Sequence, residues 1–360
     1  MWRKKYYENP KRLALAAIAK ETQDTTPTIA ASLPHLDPTK SEKLHLANLP
    51  PLDPSKCPRF KVPDGAGASR YGTRTHVFNQ DTFDAALAMP TSVLGVTPSS
   101  EKTTQETEAD LFEALKKTAE APAHLSPSIA ARVAVLNMAS EKNPGGGWLK
   151  GSSAQEEALC FRSTLAASLH KQLYPIQQRA GLYTRDVVIF RGSMGDGHKL
   201  MVPETAAAKL PVVSVLSVAG IRRPEVKPAN AADASGSSAH SEAQGAGKQG
   251  KEKGPKGPFV FADPAARQLT KDKMRQCLRM AAIKGHTMLV LGAIGCGAFR
   301  NPPQEVAQCW LEVLGESEFA GGWFKEIWFA VFDRRKEGNF EIFSEAFDGK
   351  VLCTPSGSSA

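Results

Sequence analysis

The sequence predicts a layered α/β fold, and three observations carry that prediction. Short apolar runs rich in β-branched residues recur at positions 132–138, 187–190, 212–218, 288–293 and 327–332, and each reads as a buried strand. Stretches with helical spacing of apolar residues stand between them. At two points an apolar run leads, within a few residues, to a glycine-rich loop, the strand–turn order from which ligand loops of α/β proteins are built.

In chain order, residues 11–21 read as a helix. Residues 23–70 are rich in proline, threonine and serine and read as extended or loop structure lying against the body. A helix is predicted over 107–119. Strand 132–138 then delivers the chain to Asn143-Pro144-Gly145-Gly146-Gly147, and a helix over 155–170 follows, with Phe161, Leu165 and Leu169 on its apolar face. Strands are expected at 187–190 and 212–218. From 226 to 258 the chain is alanine, glycine, serine and lysine with almost no large apolar residue, the composition of a disordered insertion. Helix 264–283, strand 288–293, helix 304–314, strand 327–332 and a last helix over 340–347 complete the body. The expected division is an N-terminal accessory segment over 1–124, helical and partly extended, a catalytic domain over 125–353, and a flexible tail over 354–360.

Composition sets limits. With 360 residues and 41% hydrophobic content the chain has enough material for a domain of over two hundred residues plus an accessory segment. The six cysteines (Cys57, Cys160, Cys277, Cys296, Cys309, Cys353) include no Cys-x-x-Cys pair, so neither a zinc site nor a secreted disulfide framework is indicated. They read as reduced thiols. The apolar stretch 13–19 is too short for a membrane span and lacks a cleavage pattern. Met1-Trp2-Arg3-Lys4-Lys5 is basic, but Glu8 and Glu21 weaken a mitochondrial signal and a nuclear one needs a denser cluster. An intracellular protein of nucleus or cytoplasm is expected, with mitochondrial import left open. The net charge of +8 suits an anionic polymer, yet Lys248, Lys251, Lys253 and Lys256 supply part of it from the insertion. No RNA-binding aromatic signature or zinc-finger spacing accompanies it.

The chemistry concentrates at Gly145-Gly146-Gly147 and, seven residues on, Gln155-Glu156-Glu157. Residues without Cβ let a ligand lie on the backbone, where successive N–H groups form an anion-binding concavity. Two carboxylates beside such a loop suggest hydrolysis of a phosphorylated sugar. Gly146 and Gly151 have the gap of a Walker A loop, but Ser152-Ser153 replace its Lys-Ser/Thr, which disfavours ATP hydrolysis. Gly295-Cys296-Gly297 also follows a strand, yet Arg300 replaces the third glycine of a Rossmann fingerprint. Cys296 invites a nucleophile reading, and no histidine stands near it in sequence. In isolation Gln-Glu-Glu is dipole-favourable surface charge at a helix start; its place after three glycines turns the reading towards a site.

Triple glycine, spacer and Gln-Glu-Glu resemble the signature of poly(ADP-ribose) glycohydrolases of the shorter microbial type found in bacteria and fungi. The basic N-terminal helix ending Ala19-Lys20-Glu21-Thr22, the segment Val77-Phe78-Asn79-Gln80-Asp81-Thr82, and the run from Leu291 through Gly295-Cys296-Gly297-Ala298-Phe299-Arg300-Asn301 to Pro303 agree with it in order. The resemblance implies a macrodomain-like three-layer fold, a mixed β-sheet between helices, with the ligand at the carboxyl ends of central strands. It implies that Gly145, Gly146 and Gly147 line one side of the ADP-ribose diphosphate and that Gly295, Cys296, Gly297 and Ala298 form a second loop opposite. Phe299 would pack on the terminal ribose, and Asn143 would bond ribose hydroxyls. Ser140 stands where many macrodomains carry a ribose-binding asparagine, and Gln155 counts among the substrate contacts.

Glu157 matches the family's catalytic acid, and Glu156 the carboxylate that fixes the neighbouring ribose. One glutamate would serve as acid and then base, because adjacent helix positions diverge by roughly 100° and cannot flank one bond from opposite faces. The resemblance further implies reversal of ADP-ribosylation, a place in the DNA damage response, and a monomer acting on poly(ADP-ribose) and ADP-ribosylated proteins, without cofactor, metal, membrane or sequence-specific nucleic acid. Removal of single ADP-ribose units, deacylation of acyl-ADP-ribose, or non-catalytic reading of ADP-ribose are the competing functions. Arg222 and Arg223, in Val218-Ala219-Gly220-Ile221-Arg222-Arg223-Pro224, either meet phosphate or solvate a turn.

Overall fold

The computed structural model describes residues 9–63, 69–229 and 258–353. Helix α1 (Pro10–Ala31) opens under a cap in which the Asn9 side chain accepts from the Lys11 amide at 3.0 Å. Strands β1 (Glu42–His45), β2 (Lys61–Pro63) and β3 (Ser69–Phe78) follow. Helices α2 (Thr82–Leu94) and α3 (Thr104–Thr118) lead to β4 (Val133–Met138). Next come α4 (Gln155–Arg162), a single turn α5 (Leu165–Ser168), β5 (Ala180–Val188) and β6 (Val212–Val218). Strands β7 (Val226–Pro228) and β8 (Phe259–Phe261) pair with each other as a ribbon. The body closes with α6 (Pro264–Lys284), β9 (Met288–Leu291), α7 (Pro303–Leu314), β10 (Glu326–Ala330), α8 (Asn339–Phe347) and β11 (Val351–Cys353).

The other nine strands form one mixed sheet in the order β1-β5-β6-β4-β9-β10-β3-β11, with β2 added on β3. Its centre, β6-β4-β9-β10-β3, is parallel throughout. Both faces are covered. Leu136, Leu216, Leu289 and Phe329 pack with Met274, Cys277, Trp310 and Phe343 of α6, α7 and α8. Val133, Val135, Val215 and Trp328 pack on the other face with Phe83, Met89, Leu111 and Phe161 of α2, α3 and α4. Successive residues of a strand therefore bury on opposite faces, which is why these strands read as unbroken apolar runs. The three-layer mixed α/β arrangement is the one expected.

Several boundaries differ from expectation. Helix α1 continues ten residues past Glu21, to Ala31, because Thr22 and Thr26 bury against the body instead of starting a loop; the Thr26 hydroxyl donates to the Thr22 carbonyl at 2.7 Å. Helix α2, for which no element was expected, holds Pro90 inside it and starts under Asp81, whose side chain accepts from the Phe83 amide at 2.9 Å. The helix expected over 155–170 breaks at Ser163, which is extended (φ −150°, ψ 178°) and bridges to Ile189. Strand β5 begins at Ala180, before the expected 187, its pattern obscured by Arg185 and Asp186 and by a register shift between Thr184 and Val187.

The expected accessory segment is no separate layer in space. Strands β1, β2 and β3, all before residue 125, belong to the main sheet, and β3 lies between β10 and β11. The ends of the expected insertion, 226–228 and the residues just after 258, form the β7–β8 ribbon; 230–257, the tail 354–360 and the basic start 1–8 lie outside the described residues.

Candidate active site

The carboxyl ends of parallel strands aim at one edge of the sheet, where the loops after β4, β6 and β9 meet. After β4 the chain runs through Ser140 and Asn143 into the glycines. Gly145 (φ +66°) and Gly146 (φ +64°) are left-handed, a conformation that costs a side chain about 1–2 kcal/mol, and the Gly146 amide donates to the Asn143 carbonyl at 2.9 Å. A Cβ on Gly145 would stand 2.7 Å from the Trp148 ring. Gly147 has ordinary φ, but its Cβ would meet the Ser152 hydroxyl at 2.4 Å.

Glu156 and Glu157, in the first turn of α4, are both buried. Each takes different donors, as their angular separation on the helix requires. Glu157 accepts from the amides of Gly147 at 2.8 Å and Ala154 at 3.0 Å, tying the catalytic candidate to both the glycine loop and the start of its own helix. Glu156 accepts from the Ser140 amide at 2.7 Å and from Asn137 Nδ2 at 3.5 Å. Burial pushes the Glu156 carboxyl up to about 8, opposed by the hydrogen bonds it accepts from the Ser140 amide and Asn137. A Cβ on Gly146 would lie 2.5 Å from Glu157 Oε1 and 2.9 Å from Glu156 Oε2, so the absent side chain is the space the two carboxyls occupy.

Gln155 is bonded within the protein on both sides of its amide. Its Oε1 accepts from the Met138 amide at 2.9 Å, and its Nε2 donates to Leu136 O at 2.7 Å and Thr82 Oγ1 at 3.1 Å. With both amide hydrogens committed to protein, Gln155 fastens α4 to the end of β4 and to α2. Ser140 also points inward on the protein: besides its amide bond to Glu156, its hydroxyl accepts from the amide of the exposed Asn143 at 3.2 Å.

Sequence reasoning missed the supports behind these groups. Asn137, fully buried, donates to Ser217 Oγ at 3.0 Å from the strand position registered opposite it. The Thr22 hydroxyl of α1 donates to the Phe161 carbonyl at 2.9 Å. Arg162, at the end of α4 and 2% exposed, pairs with Asp81 and, at 2.8 Å, with Asp84. Asn137 sits inside an apolar run, which is the one signal available beforehand: an amide there needs a partner.

The second loop is held by Asn301, 3% exposed, whose Nδ2 donates to Ile221 O at 2.6 Å and Gly295 O at 3.1 Å. Gly295 is left-handed (φ +77°), and a Cβ there would collide with the Asn301 amide at 2.5 Å. A Cβ on Gly220 would sit 3.1 Å from Gly295 Cα, so the β6 and β9 loops touch backbone to backbone. Gly297 and Ala298 are exposed and Phe299 is half-buried at this edge. Cys296 is buried, and burial pushes its thiol far above the usual range, which removes the nucleophile reading. A surface cleft of about 400 Å³ lies elsewhere, against His76, Phe78, Ala88, Thr91, Ser92 and Trp328, and no residue of either glycine loop lines it. Among the described residues, no three His, Cys, Asp or Glu side chains are grouped to hold a metal, and no helix is long and apolar enough to cross a membrane.

Residues 50–193 match the family model of the microbial-type PARG catalytic domain. That span holds the glycine loop and Gln155-Glu156-Glu157. Solved PARG structures share the fold over nearly their whole length. Poly(ADP-ribose) glycohydrolase from Thermomonospora curvata superposes with a TM-score of 0.57 at 22% identity, covering 92% of this chain and 99% of that one. The same protein bound to the inhibitor ADP-HPD gives 0.55 at 22%, with the same coverage. PARG from Deinococcus radiodurans in complex with ADP-ribose gives 0.53 at 23%, covering 89% of this chain and 96% of that one. A search of curated proteins by sequence finds no match.

Proposed function

We infer that this chain is a poly(ADP-ribose) glycohydrolase that cuts the ribose–ribose bond of the polymer and releases ADP-ribose. The observation that carries this reading is the meeting of Glu156 and Glu157 over Gly146, inside the segment that matches the PARG catalytic domain. It places an acid group against the loop suited to the diphosphate.

In the proposed reaction Glu157 gives a proton to the 2′-oxygen leaving group as the anomeric carbon gains oxocarbenium character, then takes one from the attacking water. Glu156, neutral over much of the physiological range, fixes hydroxyls of the adjoining ribose as donor or acceptor. Such a grip has a use only where a further unit follows, which favours polymer over single ADP-ribose units. Gly145 to Gly147 and Gly295 to Ala298 embrace the diphosphate, with Phe299 against the terminal ribose. The proposed enzyme works as a monomer. As a polymer-removing hydrolase it would act inside the cell, in the reversal of ADP-ribosylation that belongs to the DNA damage response.

The test is release of ADP-ribose from purified poly(ADP-ribose) by wild type and Glu157→Gln, with ADP-ribose binding to both followed by calorimetry. Release by wild type alone, with binding kept in both, is expected. Binding without release by either protein would make this a reader or an enzyme for another linkage.

A further inference from the structure

Three arginines crowd the junction of the β6 and β9 loops. Arg222, Arg223 and Arg300 are exposed, and among the described residues none has an ion pair or a side-chain hydrogen bond. The arginines of α6 show the contrast: Arg267, Arg275 and Arg279 hold Glu312, Glu316 and Glu318 at 2.6, 2.6 and 2.8 Å.

Two of the three are also strained. Arg223 (φ 49°) and Arg300 (φ 56°) are left-handed, a conformation that costs an L-residue about 1–2 kcal/mol and glycine almost nothing. Glycine fills other left-handed turns of this chain, among them Gly95, Gly285 and Gly338. The strain is held by neighbours: the Arg223 amide donates to Phe299 O at 2.7 Å, the Arg300 amide to Gly297 O at 3.0 Å, and Asn301 staples both arms. Backbone strain kept at an exposed side chain that has no ion pair or hydrogen bond among the described residues points to a partner outside the protein.

We propose that Arg222, Arg223 and Arg300 form a docking surface for the diphosphates of the polymer units beyond the one held between the glycine loops. The inference rests on the glycohydrolase reading. Because the scissile bond joins the bound unit to the remainder, the remainder leaves across the rim of the site, and Arg300 directly follows the loop that bounds it. A guanidinium presents a planar fork of donors that fits phosphate oxygens, and three on adjoining turns, unpaired among the described residues, give anions a basic path.

The experiment combines Arg223→Gly with Arg300→Gly in the full chain, with Arg222→Glu as a second, unstrained variant. Binding is measured to size-fractionated poly(ADP-ribose), to ADP-ribose, and to single-stranded DNA of matched charge, on a Glu157→Gln background so that the polymer survives. The glycine pair is expected to melt higher than its parent, to bind polymer about tenfold more weakly with a flatter salt dependence, and to bind ADP-ribose unchanged. Arg222→Glu is expected to weaken polymer binding without the gain in melting temperature.

Unchanged polymer affinity overturns the proposal, and so does an equal loss for ADP-ribose, which would mean a distorted loop. DNA binding as tight as polymer binding, and lost alongside it, would make the surface a nucleic-acid contact instead. Failure of the glycohydrolase reading shows separately, as wild type that releases no ADP-ribose.

Discussion

Gly146 and Glu157 occupy what would otherwise be one volume: a Cβ on the glycine would lie 2.5 Å from the glutamate's Oε1. Gly146→Ala therefore combines a left-handed alanine with eviction of the carboxyl from its bond to Gly147. The expected result is a folded protein destabilised by about 1–3 kcal/mol, whose release of ADP-ribose falls at least a hundredfold, on the order of losing a general acid. Chemical denaturation and a polymer assay check the two effects separately.

Glu156 gives stability a pH dependence of unusual sign. Its carboxyl is raised from 4.5 in the unfolded chain to about 8 when folded, so between those values the native state holds a proton that the unfolded state has lost. Its contribution is fully present below about pH 4.5, declines as pH rises, and levels off above about 8. Glu156→Gln, which stays neutral, is expected to gain on wild type steadily from pH 5 to pH 8. Urea midpoints of both proteins at three pH values would show it, and a constant gap would contradict it.

The hydroxyl of Thr22, 1% exposed, donates to the Phe161 carbonyl at the end of α4. Thr22→Val keeps the shape and takes this donor from a buried carbonyl, at a cost of about 1–3 kcal/mol. A fall in kcat larger than the fall in ADP-ribose affinity is expected, because α1 then steadies the helix bearing Glu157 less well.

Cys296→Ala is expected to retain activity within a few-fold, and alkylating reagents to act slowly on the native protein, since burial holds the thiol protonated. Rapid inactivation blocked by ADP-ribose would reopen a role for the sulfur.

The parts of the site visible in sequence were those whose chemistry depends on residue type in local order. Three glycines before Gln-Glu-Glu announce a backbone ligand loop and acids at a helix start, and strands buried on both faces announce themselves as apolar runs. The supports were not visible, because Asn137 with Ser217, Thr22 with Phe161 and Asn301 with Ile221 join residues 80, 139 and 80 positions apart. Gln155 adds a role that its place in the motif did not announce, since its amide also holds α4 to β4. Proline misled in α1, where tertiary packing outweighs the loss of one backbone bond at Pro27.

The place of β3 bears on how the protein is made. Its long edges are paired with β10 and β11, from the last thirty-five residues of the chain. A nascent chain thus carries an early strand, and with it the cap of α2 at Asp81, whose sheet neighbour among the described residues is the short β2 until β10 and β11 are made. A chain stopped before β10 leaves β3 with an open sheet edge where its parallel partner belongs, a surface prone to pair with other strands.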